Sequence, residues 1–244
     1  MADNWQMKLN VEKCKVLHYG RSSIEHGYIM HGHPLEQASV EKDLGVVFSK
    51  DLKVRQQCEE AYKKASQMLG LMHRTIRFRN PQVLITLYKS LVRPHLEYCS
   101  VAWSPYYVKD KALLERVQHR FTRMFSELKE LPYMQRLEKL GLWSLEERRN
   151  RADLIEIFKM IKGFSAVSWS ISFFTRMESS VTRGHNWKLR KLGARCDLRL
   201  HCFSHRSINR WNSLTQEEVD APSVNSFKHH LAKKRLWKMD FFMD

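Results

Sequence analysis

Asp51 to Ile76 reads DLKVRQQCEEAYKKASQMLGLMHRTI. Cys58, Ala61, Tyr62, Ala65, Met68, Leu69, Met72 and Ile76 recur in it at spacings of three and four, the stripe of an amphipathic helix. Upstream the pattern differs. Lys15-Val16-Leu17-His18-Tyr19 ends at Gly20, Tyr28-Ile29-Met30 runs into Gly32, and Leu44-Gly45-Val46-Val47-Phe48 is a short apolar run. These three stretches read as short strands. Ahead of them, Trp5, Met7 and Leu9 fit either the end of a helix or the start of an extended stretch. Three strands are little material for a sheet and leave its edges without an obvious cover.

Downstream the helical period persists. Asn80-Pro81 offers an N-cap followed by proline at the first helical position, and Val83, Leu84, Leu87, Tyr88, Leu91 and Val92 form a stripe that Pro94 is expected to stop. Leu96 to Trp103 makes a third short segment, closed by Ser104-Pro105, and Lys109 to Leu128 a longer one. A short helix follows around Tyr133 to Leu140, ending at Gly141. Ser144-Leu145-Glu146-Glu147 is a capping box, in which the serine accepts from the Glu147 amide while Glu147 reaches back. The helix it opens buries Leu154, Ile155, Phe158 and Ile161, and Gly163 is placed to end it. Ser165 to Ser180, with six serines and Trp169, Phe173 and Phe174, reads as a connector whose aromatics pack back on the bundle. Ser204 to Trp211 and Ser223 to Trp237 read as two more helices, the second turning Val224, Phe227 and Leu231 inward. The expected architecture is α+β and mostly α. Residues 1–48 form a small three-strand β segment, 49–165 a helical bundle, and 166–244 a basic helical tail.

Composition narrows the function. A chain of 244 residues, 43% hydrophobic and 28% charged, is long enough and apolar enough to bury a core. No apolar run approaches the roughly 18 residues of a membrane span, and the first residues do not open a secretory signal. Five scattered cysteines do not form a disulfide framework, so a reducing cytosolic or nuclear setting is expected. The net charge of +16 favours a polyanion, nucleic acid before an anionic membrane. That charge is segregated: residues 1–48 carry −1, 49–165 carry +10 and 166–244 carry +7. No membrane is expected among the partners.

Two clusters could carry that function. At 100° per residue, Lys109, Arg116, Arg120 and Arg123 fall within a wedge of roughly 60°, while Leu113, Leu114, Val117, Phe121, Met124 and Phe125 fill an adjacent sector of about 120°. Such a helix sits on a core and presents a basic ridge to phosphates; an ordinary solvated face has the same pattern. The second cluster is Arg183, Lys188, Arg190, Lys191, Arg195 and Arg199, interleaved with His185 and Trp187. Arginine beside aromatics suits phosphate contact plus base stacking, or else Trp187 is a packing anchor. Cys196, His201, Cys202 and His205 match no paired-ligand spacing, and no Cys-x-x-Cys occurs, so no metal site is expected there. There is no Gly-rich phosphate loop, Gly-x-Ser-x-Gly elbow or His-Glu-x-x-His. The nine aspartates never stand on adjacent residues, as a two-metal phosphoryl-transfer site favours.

Several phrases together resemble the reverse transcriptases of LINE-type, jockey-like non-LTR retrotransposons. They are Trp5 to Cys14 (WQMKLNVEKC), Glu41-Lys42-Asp43-Leu44-Gly45-Val46, Leu91-Val92-Arg93-Pro94-His95-Leu96-Glu97-Tyr98 and Ala102-Trp103-Ser104-Pro105-Tyr106. Arg183-Gly184-His185, Arg210-Trp211-Asn212-Ser213-Leu214 and Phe227-Lys228 are similar to that family's far C-terminal region. The resemblance implies that residues 1–48 are the trailing edge of a palm, 49–165 a thumb that holds a template–primer duplex, and the rest the segment after it. Lys13 then matches the family's palm lysine, and Asp43, Leu44, Gly45 and Val46 its primer-grip region. It further implies that the magnesium-binding aspartates of the parent polymerase lie outside this chain, which would need no cofactor and carry no catalytic residue of its own. The expectation is a truncated derivative that binds RNA or RNA–DNA duplex without sequence preference and does not polymerise alone. Three alternatives stand beside it: a polymerase completed in trans by a complementary fragment, a protein-interaction module, and retroelement debris without a selected role.

Overall fold

A computed structural model describes residues 9–20, 26–76, 80–166, 174–177 and 184–244. It is mostly helical with a few small sheets, an α+β architecture. Two compact units divide it, residues 1–60 and 61–244. No helix among the described residues is long and apolar enough to cross a membrane.

In the first unit all three expected strands form, each with a partner the sequence reading did not pick out. β1 (Lys15–Leu17) runs parallel to β4 (Glu36–Ala38), β2 (Ile29–Met30) pairs antiparallel with β3 (His33–Pro34), and β5 (Val40–Asp43) with β6 (Val46–Ser49). The result is three two-stranded ladders in place of one three-stranded piece. Leu44 and Gly45 do not belong to the strand as expected: with φ of 44° and 86° they make the two-residue turn of the β5–β6 hairpin. Both positive φ values match the twist of a tight hairpin, and glycine holds the second at no steric cost. The Val47 N–H then donates to Gln57 Oε1 at 2.9 Å.

Helix α1 (Arg55–Thr75) carries the expected stripe, with Cys58, Ala61, Ala65, Leu69 and Met72 buried. Asn80 caps α2 (Pro81–Leu87) by accepting from the Gln82 and Val83 amides. Pro94 does not stop this helix. A π turn over Tyr88–Val92 intervenes, in which the Arg93 N–H reaches the Tyr88 carbonyl five residues back, and the chain continues as α3 (Arg93–Glu97). The wider turn re-routes the hydrogen bonds that the proline ring and its missing N–H would otherwise break. The break comes later, at Cys99 with φ 53°, ahead of α4 (Ser100–Trp103).

Helix α5 (Val108–Thr122) ends six residues short of the expected Leu128, which lies in a separate 3-10 turn, Ser126–Leu128. Helix α6 (Tyr133–Lys139) leads to Gly141, and α7 (Leu145–Ile161) opens on the full capping box of Ser144 and Glu147. Leu154, Ile157 and Phe158 are fully buried and Met160 nearly so, while Ile155 and Ile161 are half-buried, so α7 is covered on more than one stripe. What covers it is the tail. Trp211, Phe227, Leu231 and Phe242 join Leu154, Ile157 and Phe158 in one core, Phe227 stacking on Phe158 with ring centroids 4.3 Å apart. The expected single helix at Ser204–Trp211 is two, α9 (Phe203–Arg206) and α10 (Ile208–Asn212), preceded by α8 (Asp197–His201). After the short α11 (Gln216–Val219), helix α12 (Val224–Trp237) buries Phe227 and Leu231 as expected. Of the connector aromatics, Phe174 is buried edge-on to Phe203, while Trp169 and Phe173 lie outside the described residues.

Candidate nucleic-acid interface

The inner face of α5 fixes where its outer face points. Leu114, Val117 and Phe121 are fully buried, and Phe121 stacks on Tyr88 at 4.1 Å between centroids. A polar network then locks the helix rotation. The Glu115 carboxylate accepts from the Leu145 N–H at 3.0 Å and from the Tyr133 hydroxyl. Gln118 accepts from the Tyr88 hydroxyl at 2.8 Å and donates to the Trp143 carbonyl at 2.9 Å. Burial raises the Glu115 carboxyl above the usual carboxylate range, against the pull of those hydrogen bonds. At the first turn Lys111 reaches Glu146 at 2.6 Å and Asp244 at 2.7 Å.

With that face committed, Lys109, Arg116, Arg120 and Arg123 are all exposed on the other. None of the four side chains makes an ion pair or hydrogen bond among the described residues; the Lys109 ammonium lies 5.5 Å from the Tyr107 ring centroid. Most other arginines of this unit differ. Arg148 takes Glu97 in a two-pronged pair, Arg206 holds Asp153 at 2.8 and 2.9 Å, and Arg235 holds Glu147 at 2.5 and 3.0 Å. Those cations are neutralised within the fold. On the ridge, by contrast, positive charge stays uncompensated.

Two elements add cations that the sequence reading did not include. His73 and Arg74, at the C-terminal end of α1, line a groove of about 460 Å³ with Arg120 and Arg123, over Leu69 and Gly70. Beside it, His119 stacks on Tyr133 at 3.5 Å, and the Arg136 guanidinium lies 3.3 Å from His119 Nδ1. Arg136 is 2% exposed, and its Nε and Nη1 have no hydrogen-bond partner among the described residues. Burial and then the neighbouring Arg123 lower the Arg136 guanidinium from its ordinary value; burial, Arg136 and Arg123 lower the His119 imidazole likewise. Both shifts reflect burial first and the positive neighbours second. Only the packing of α6 on α5 brings these groups together, and neither helix's sequence announces that contact.

The tail cluster behaves otherwise. His185 is buried, with Nε2 3.0 Å from the Trp211 carbonyl oxygen and Nδ1 accepting from the Trp187 N–H at 3.2 Å. Trp187 is covered by the Arg176 guanidinium 4.2 Å above its ring, and its carbonyl accepts from the Trp211 indole N–H at 2.7 Å. These aromatics are packing anchors. The end of the Lys188 side chain lies over Gly184, whose φ of 125° is a conformation that glycine adopts at little cost and other residues rarely do. Arg190 and Lys191 remain exposed, at and just after the short strand Leu189–Arg190; Arg183 lies outside the described residues. Arg195 and Arg199 are exposed as well, so the tail's aromatics are tied into the core while four of its cations face solvent as the ridge does.

Among the remaining candidates, Lys13 is exposed in a 3-10 turn capped by Asn10, and Asp43 to Val46 form the hairpin tip, both in the first unit. His205 is buried with both ring nitrogens on backbone carbonyls, Leu200 at 3.1 Å and Leu192 at 2.9 Å, and His201 stacks on Tyr106 at 4.3 Å. No group of three or more His, Cys, Asp or Glu suited to a metal occurs among the described residues. Compared with protein-family models, curated proteins and solved structures, the chain matches none of them, so a functional reading rests on its own residues.

Proposed function

We propose that this protein is a LINE-type reverse-transcriptase derivative that binds RNA or RNA–DNA duplex through its phosphates, without sequence preference. One observation carries the reading: four exposed cations on a single helix face with no carboxylate partner among the described residues. From Lys109 to Arg123 the ridge runs about 21 Å at 1.5 Å per residue. A duplex carries one charge per about 1.7 Å of axis, so a ridge of that length meets phosphates of both strands. Guanidinium forks suit phosphate oxygens, and contacts of this kind position a duplex without reading its bases. Lacking any adjacent pair of aspartates, the chain is assigned no polymerase step; magnesium belongs, in this reading, to the parent enzyme.

The test is fluorescence anisotropy with two blunt RNA–DNA hybrids of equal length and unrelated sequence. Wild-type protein should bind both within about threefold, and Arg116→Glu with Arg120→Glu should weaken both at least about tenfold while flattening the salt slope by about two. Unchanged affinity and slope in the double variant would overturn the assignment.

A second reading is favoured by the first unit, whose three ladders have two strands each among the described residues. Open main-chain edges of this kind accept a strand from another chain, so a complementary polymerase fragment could complete the sheet. Co-expression with such a fragment should yield a stable complex in gel filtration; two separate peaks would dismiss it.

A further inference from the structure

The basic groove does not end at the arginines. Met124 lines it and also lines a second hollow of about 540 Å³. The chemistry of the two lobes differs. The first presents His73, Arg74, Arg120 and Arg123. The second is walled by Pro81, Phe125, Leu128 and Leu140, with Ser126, Glu127 and Lys139 among its lining residues. Glu127 and Lys139 cancel in formal charge, so the second lobe has no net pull on an anion, while the first has only cationic or neutral groups.

We infer that the two lobes meeting at Met124 together take one unpaired nucleotide of a bound strand, its phosphate on Arg120 and Arg123 and its base in the Phe125 lobe. This deepens the nucleic-acid reading above and rests on it. Each lobe falls within the range of small-ligand sites, and a hollow of mixed lining with Phe125 in its wall, beside a cationic one, matches a base joined to its phosphate. A continuous duplex has no base to offer such a hollow, because its bases are stacked and paired. An overhang or strand end does. Arg136 supplies an independent pointer: a guanidinium 2% exposed, with two N–H-bearing nitrogens lacking partners among the described residues, stands next to Arg123. An anion on Arg123 answers the charge that the fold leaves unanswered there.

The experiment compares a blunt RNA–DNA hybrid with the same hybrid bearing a three-nucleotide overhang that contains 2-aminopurine, using wild type and two variants. Ser126→Ile fills the second lobe from an exposed position without touching the core. Wild type should prefer the overhang about tenfold, the gain expected of one buried base, with a change in 2-aminopurine emission. Ser126→Ile should abolish that preference and leave blunt-hybrid affinity intact, whereas Arg120→Gln should weaken both ligands. Equal wild-type affinity for the two hybrids, or a preference that survives Ser126→Ile, overturns this inference while leaving the phosphate-binding reading standing. Failure to bind either hybrid overturns both.

Discussion

Arg136 is expensive to keep. A buried guanidinium with unpartnered N–H groups and a like charge beside it costs stability, and an apolar replacement of similar length removes that cost. Arg136→Met should therefore raise thermal stability, by on the order of 1 kcal/mol, while weakening hybrid binding several-fold. Calorimetry alongside anisotropy checks both halves; a variant that loses stability and keeps affinity would mean that Arg136 serves packing alone. Asp244 shows the opposite economy. Burial disfavours its charged form, but Lys111 and Arg210 outweigh burial and hold the carboxyl at about 2. A carboxyl whose folded pKa is depressed contributes stability that is present above its unfolded value of 3.8 and lost as pH falls toward about 2. In thermal melts, Asp244→Asn should be less stable than wild type at pH 7, with the difference shrinking between pH 4 and pH 2. A constant difference across that window would show that the Lys111 and Arg210 contacts carry no net charge contribution.

Among the elements, α7 and α5 were legible for different reasons. The capping box at Ser144 and Glu147 is a local device whose residues lie three apart, so sequence alone exposes it. Ser144→Ala should cost about 1 kcal/mol in denaturant unfolding and leave hybrid affinity unchanged, since the ridge lies on another helix. The apolar stripe of α5 likewise determines that Lys109, Arg116, Arg120 and Arg123 face outward. Where linear reading failed, the deciding partner was distant. Pro94 lies within a helix because a π turn spans the gap, and nothing in residues 88–94 signals that turn. Trp187 read equally as a stacking platform or an anchor until Trp211 and Arg176 closed around it. His73, Arg74 and Arg136 were missed because each joins the ridge only through packing between helices.

For the whole molecule, the charge split already pointed past the first 48 residues, but it could not say which cations are consumed. Of the basic residues after Ser49, several arginines are locked onto Glu97, Glu147 and Asp153, and only the fold distinguishes them from the ridge. The same fold binds the tail to the bundle. Trp211 and Phe227 share a core with Leu154 and Phe158, so tail and α7 should unfold together. Trp211→Ala should cost about 3–5 kcal/mol and lower a single cooperative transition; a separate early transition confined to residues 184–244, seen by hydrogen exchange, would show the tail to be independent.

The salt dependence of wild-type binding to a blunt RNA–DNA hybrid bears most directly on the ridge. Four phosphates neutralised by Lys109, Arg116, Arg120 and Arg123 should give a log–log slope of about −3 to −4. A slope flatter than about −1, at measurable affinity, would mean that these four side chains do not hold the duplex.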